Sequence, residues 1–222
     1  ENATSLQTPT ATPDSFSGYR HVIHDTFEGA ESSVDWFIDS DETYSANIVN
    51  GAYQIVLSQF DEERSGSIIW GSIQGLWFDD YIVRARVRVL QDGIRARTGL
   101  WLHYQDGFNF LYFGIDNIGR YRVAKFQGIY TEFQPWIDDD AIHQGAEPNI
   151  LEIKLEGDVF TFSVNGKTLL TTSDDTFKEG RIAFFCDSNT ENTTCHLEEI
   201  DVWIPEDSPF PRPTHTPTSE AN

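Results

Sequence analysis

The 222-residue chain carries 36 acidic against 15 basic residues, a net charge of −21, with 39% hydrophobic and 14% aromatic residues. Such a field repels phosphate backbones and anionic membranes and argues against nucleic-acid binding, while the apolar share suffices for a packed core. No apolar run approaches the ~18 residues of a membrane span, and a sequence that opens on Glu1 and contains no methionine suggests a processed mature product.

Residues 1–15 are Thr/Pro-rich, with Pro9 and Pro13, and are expected to form an extended N-terminal tail. Asn2-Ala3-Thr4 within it matches the glycosylation sequon. The body, 16–204, is expected to be a single domain in which period-2 patterning dominates. GAYQIVLS (51–58) is a first clear strand. YIVRARVRVL then sets Val83, Ala85, Val87 and Val89 against Arg84, Arg86 and Arg88, which gives one buried and one polar face. TGLWLHYQ, FNFLYFGID and RYRVAKFQ follow, punctuated by Asp106-Gly107 and by Asn117 to Gly119. The stretch 127–147 reads as a long loop containing Trp136, with one helical turn allowed in WIDDDAIHQG. NILEIKLEGD alternates Leu151, Ile153 and Leu155 against Glu152, Lys154 and Glu156. VFTFSVNGKTLL breaks at Asn165-Gly166, a pair suited to left-handed turn angles and hence to a hairpin. GRIAFFC and CHLEEIDVWI close the body, and residues 205–222, with five prolines, form a second Pro/Thr-rich tail. About a dozen strands at this spacing predict an all-β fold, a two-sheet antiparallel sandwich or jelly roll.

The two cysteines, Cys186 and Cys195, flank a polar turn and are expected to pair across a hairpin, which implies an oxidising, extracellular or cell-surface location. Asn192-Thr193-Thr194 in that turn is a second sequon.

HDTFEG, DDYIVRARVRV, GLWLHYQDGFNFLYFGIDNIGRYRVAK, AEPNILEIKLEGDVFTFSVNGKTL, DDTFKEGRIAFF and EEIDVW, taken in that order over 22–204, resemble the concanavalin A-like lectin/glucanase superfamily. The nearest resemblance is to laminin-G-like and glucanase-like jelly-roll modules of bacterial surface proteins. It implies two large antiparallel sheets, one of them concave, with glycans often bound on the concave face.

Hydrolytic members carry alternating acids on one strand, Glu-x-Asp-x-Glu or Glu-x-Asp-x-x-Glu. Here the nearest strings are Glu152-Ile153-Lys154-Leu155-Glu156, with lysine in place of the aspartate, and Glu199-Ile200-Asp201, with no third acid. The chain is therefore expected not to be an enzyme, a glycosidase with an unconventional site being the alternative. Strict alternation places Trp101 and His103 on one face of their strand and Tyr112 on the matching face of the next. With Arg86 and Arg88, and with Trp136 at the rim, they would form a platform on which sugar rings stack. The alternative is that these rings merely cover the sheet. Jelly-roll relatives often hold structural Ca²⁺ where first and last strands meet, which nominates Asp25 and Asp201; no other cofactor is implied. The function expected from sequence is a glycan-binding or adhesion module, with a subunit of a filament, sheath or surface layer, linked to copies of itself through the tails, as the alternative.

Overall fold

A computed structural model describes residues 16–28, 32–59, 67–90 and 95–209, and the backbone of 212–213. The N-terminal tail with Asn2, and most of the C-terminal tail, lie outside the described residues. No helix occurs among the described residues; every regular element is a strand.

In chain order the strands are β1 (Tyr19–Asp25), β2 (Asp39–Ser40), β3 (Tyr44–Val49), β4 (Ala52–Leu57), β5 (Ser67–Ser72) and β6 (Leu76–Trp77). Next come β7 (Tyr81–Val89), β8 (Ala96–Asp106), β9 (Asn109–Asp116), β10 (Arg120–Gln127) and β11 (Tyr130–Asp138). The last are β12 (Asn149–Glu156), β13 (Val159–Val164), β14 (Lys167–Ser173), β15 (Arg181–Ser188), β16 (Thr193–Pro205) and β17 (Arg212–Pro213). β11 corrects the expectation of a loop over 127–147: Tyr130–Asp138 pairs antiparallel with β10 and forms a sheet edge.

Nine strands form one sheet, in the order β14-β13-β12-β7-β16-β4-β3-β2, with β1 beside the second half of β16. Six form the other, β11-β10-β9-β8-β15-β5. The fold is a two-sheet antiparallel jelly-roll sandwich, and its order follows from the alternation in sequence. Val83, Ala85 and Val87 of β7, Leu151, Ile153 and Leu155 of β12 and Phe160 and Phe162 of β13 point inward from the large sheet. Leu100, Leu111, Phe113, Ile115 and Phe184 meet them from the small one. Each such valine, leucine, isoleucine or phenylalanine contributes about 1.5–3 kcal/mol on leaving water. The β13–β14 hairpin turns at Asn165 (φ 49°) and Gly166 (φ 83°), the two left-handed residues that this dipeptide predicts.

Candidate functional site

The face of the six-stranded sheet turned away from the core carries a second apolar layer. On β8 and β9 alternation brings Arg97, Gly99 and Trp101, and Phe110, Tyr112, Gly114 and Asp116, to this side; β15 adds Ala183, Phe185 and Asp187. Trp101 stacks on Phe110 with centroids 3.8 Å apart at 10°, and Tyr112 leans on Phe185 at 4.9 Å. Gly114 makes room for the Tyr112 ring: a Cβ there would lie 2.4 Å from the phenol oxygen. Trp101 and Tyr112 are each only 2% exposed, because Trp70, Phe126, Tyr130 and Trp136 pack over the layer from its flanks. The rings nominated from sequence are thus a floor beneath other aromatics.

Charged groups run across one end of this face. Asp187 on β15 stands opposite Arg97 on β8, and Arg97 stands opposite Asp116 on β9. Arg97 binds Asp187 at 2.7 Å, and Arg120 donates to Asp116 through Nε at 2.8 Å. The indole of Trp136 lies near both cations, 5.9 Å from the Arg97 guanidinium and 5.4 Å from that of Arg120. Burial pushes the Asp187 carboxyl above the usual carboxylate range, and the neighbouring Arg97 only partly offsets this. Arg122 lies over the Tyr130 ring at 3.9 Å and donates to Glu132 through Nε at 3.0 Å.

Beside the layer, at the β5 edge, opens a groove of about 400 Å³ lined by Trp70, Tyr104, Arg181, Gln74 and Phe37 among others. Its size is within the range of small-ligand clefts. Trp70 donates from Nε1 to the Tyr104 hydroxyl at 2.9 Å, and the Arg181 guanidinium sits 4.6 Å above the Tyr104 ring. Arg181 donates to the Gln105 carbonyl at 3.1 Å. One wall is therefore aromatic and the other offers fixed polar donors.

Of the residues nominated for a glycan platform, Trp101, Tyr112 and Trp136 come together and the others do not. His103 is displaced by an irregularity in β8: pairing with β9 slips between Leu102 and Asp106, and His103 itself has φ 45°. The slip turns His103 toward Tyr81 and Phe160 and brings Tyr104 to the Trp101 side, the reverse of strict alternation. The two His103 ring nitrogens lie 2.9 Å from the carbonyl oxygens of Phe177 and Asp79, so the nitrogen that carries the proton ties β8 to one of these loops. Arg86 and Arg88 belong to β7 in the other sheet, where both bind Glu198, at 2.8 and 2.6 Å. A shared platform with Trp101 is excluded because the core separates the two sheets.

Asp25 and Asp201 do not converge either. Asp25 is adjacent to His24, which pairs with Asp201, so its side chain takes the opposite face. There it accepts hydrogen bonds from the Phe27 and Ser33 amides and from Ser32 Oγ. Asp201 instead meets His21 and His24. Cys186 and Cys195 form the expected disulfide, but across the two sheets and not within a hairpin, because β15 and β16 pair with different neighbours. Asn192 is exposed, with φ 58°.

Sequence reasoning passed over Arg97, Asp187, Trp70 and Arg181. One signal was available: a cysteine committed to an interior disulfide sends its neighbour Asp187 outward. The pairing of Asp187 with Arg97 depends on strand order, which no local pattern contains.

No family model matches the sequence, and no curated protein matches it. Solved structures do match. SCLam, a non-specific endo-β-1,3(4)-glucanase of family GH16, superposes with a TM-score of 0.64 at 12% identity, over 85% of this chain and 92% of its own. The endo-β-1,3-glucanase of Pyrococcus furiosus gives 0.60 at 13%, over 83% and 94%. The Bacillus licheniformis β-glucanase gives 0.61 at 7%, over 81% and 96%. These likenesses correct the expectation that the chain is not an enzyme: endo-β-glucanases are among the solved structures that share its architecture along most of their length. At these identities the likeness is one of fold, and in fold the chain is a concanavalin A-like jelly roll of the kind that GH16 glucanases share.

Proposed function

We propose that the chain acts on polysaccharide at the outer face of the six-stranded sheet, with β-linked glucan as the substrate class. The observation that carries this reading is the groove over Trp70, Tyr104 and Arg181 at the mouth of the aromatic layer. A sugar ring has apolar C–H faces that an indole matches and hydroxyls that a guanidinium and an amide orient. The fold shared with endo-β-glucanases supports the choice of glucan. The buried disulfide supports an oxidising, extracellular setting.

Calorimetric titration with β-1,3- and mixed-linkage gluco-oligosaccharides tests the proposal. Trp70→Ala is expected to weaken binding by about 5- to 30-fold, the equivalent of about 1–2 kcal/mol for a lost aromatic contact. Arg86→Ala, on the opposite sheet, is expected to leave it unchanged. Equal binding by the wild type and Trp70→Ala, or no binding to any glucan, would overturn the assignment.

One observation favours hydrolysis over binding alone. Asp187 is a carboxyl whose burial favours its protonated form, on the same face as the carboxylates Asp116 and Glu132. A raised carboxyl is suited to protonate a leaving glycosidic oxygen. The backbones of Asp187 and Asp116 are two strands apart, about 9–10 Å. Arg97 of β8 lies between them and binds Asp187.

A further inference from the structure

On the outer face of the nine-stranded sheet, far from the groove, three metal-ligating side chains point at one spot. His21 Nε2 and His24 Nδ1 each lie 2.8 Å from the same oxygen of Asp201, Oδ1. All three ligand atoms fall within 4.8 Å of one another. Asp201 is 5% exposed as a residue, whereas the His21 and His24 side chains keep 26% and 45% of their surface in solvent. The cluster is anchored at its carboxylate and open on its imidazole side.

The backbone is shaped to produce this convergence. His21 and His24 are three residues apart on a strand, and regular alternation would send them to opposite faces. Pairing passes from His21 opposite Trp203 to Ile23 opposite Val202, so Val22 is an extra residue, a β-bulge in β1. The bulge reverses the phase once. Both imidazoles then stand on the side of Asp201 and Trp203, with His24 directly opposite Asp201. His21 is held further by stacking on the Trp203 indole at 4.7 Å and 23°. Arg84, which stands opposite Asp201 on β7, is bound by Glu152 at 2.7 Å.

We infer that His21, His24 and Asp201 bind one divalent transition-metal ion of the zinc type. Two imidazole nitrogens and one carboxylate oxygen are a borderline-soft set, suited to zinc, cobalt or nickel and poorly suited to calcium, which takes six or more oxygens. A tetrahedral ion with bonds of about 2.0–2.1 Å needs ligand atoms about 3.3 Å apart. The two nitrogens therefore separate from Oδ1 by about 0.5 Å and close toward each other, which side chains on adjoining strands achieve by rotation. Each imidazole changes from donor to ligand by carrying its proton on the other ring nitrogen. The fourth position is left to water or to a donor from a neighbouring molecule. Because the ligands come from β1 and β16, the ion would clamp the first strand onto the last.

The test uses the full-length chain without a histidine tag. Equilibrium dialysis against micromolar zinc, with millimolar calcium present to suppress weak binding by the acidic surface, is expected to retain about one zinc per chain. Zinc should raise the melting temperature, and calcium alone should not. His24→Ala, at an exposed position, should weaken zinc binding by at least about tenfold with the calcium-only melting temperature preserved. His21→Ala should behave alike, and His143→Ala should bind as the wild type does. Cobalt(II) should give the visible spectrum of a nitrogen- and oxygen-ligated tetrahedral site, lost in His24→Ala. Zinc retained equally by His24→Ala and His21→Ala, or no zinc retained by the wild type, would overturn the inference.

Discussion

Cys186 and Cys195 are nine residues apart in sequence, yet they stand on different sheets, and their disulfide closes the sandwich with Cα atoms 5.6 Å apart. Both are fully buried. Closing so short a loop restricts the unfolded chain by about 2–3 kcal/mol in the chain-entropy account. The double variant Cys186→Ala/Cys195→Ala is expected to lose about that much in denaturant unfolding. Alkylation should label two thiols only after reduction and denaturation. Labelling of the untreated native protein would show that the bridge is absent.

Gly180 closes the turn DDTFKEG (174–180) for a steric reason. A Cβ at this position would lie 2.3 Å from the His103 carbonyl carbon and 2.6 Å from its Cα. Those are backbone atoms in the irregular part of β8, and they cannot swing aside as a side chain does. Gly180→Ala is expected to cost about 1–3 kcal/mol through overpacking. The contact of His103 with the Phe177 carbonyl should loosen with it, visible as faster amide exchange over 177–180. An unchanged melting midpoint would show that the backbone yields there.

How far the sequence carries depends on what sets each feature. The alternation in β7 and β12 is local, since one residue in two must be apolar to face a core, so the sandwich could be read from Val83 to Val89 and from Leu151 to Leu155. The Asn165-Gly166 turn is local too. His103 and Val22 are not. Each marks a place where strand pairing slips, by one residue against β16 at Val22 and by two against β9 after Leu102, and the side chains at the slip change face. A bulge leaves no signature in composition, so alternation carried straight through put His103 with Trp101 and hid the meeting of His21 with His24. Arg86 and Trp101 were joined by the shared polarity of their faces; which sheet each strand enters is a property of the whole topology.

Acid should weaken the fold in part through His103 and His196. Burial holds the pKa of each below the ordinary histidine value of 6.5; for His196, Arg88 acts in the same direction. The unfolded chain then takes up protons before the folded one. The neutral histidines therefore contribute stability that is present above the unfolded pKa and lost as pH falls through the folded one. Unfolding free energy should decline as pH drops below about 6.5. His103→Asn, which tolerates the left-handed backbone, should show a shallower decline than the wild type over that interval. Parallel curves for the two proteins would remove His103 from the account.

Asp187 has a pH dependence of the opposite sign, and it separates the two readings of the outer face. Its folded pKa is raised by burial, so its ionisation opposes folding and weakens the fold as pH rises from the unfolded carboxylate value through the folded one. The same displacement makes it available as a proton donor at a pH where an ordinary carboxyl is ionised. Asp187→Asn keeps an acceptor for Arg97 and removes the titrating proton. If Asp187 protonates the leaving oxygen, release of reducing ends from β-glucan should fall by about 10²–10⁴-fold in the variant, with oligosaccharide affinity kept within about threefold. The alkaline limb of the wild-type rate should then lie above the usual carboxylate range. Affinity lost together with rate would instead make Asp187 a positioning residue that holds Arg97 under Trp136. Turnover equal in variant and wild type would exclude it from the chemistry and turn the search for a donor to Glu132, which Arg122 holds on the same face.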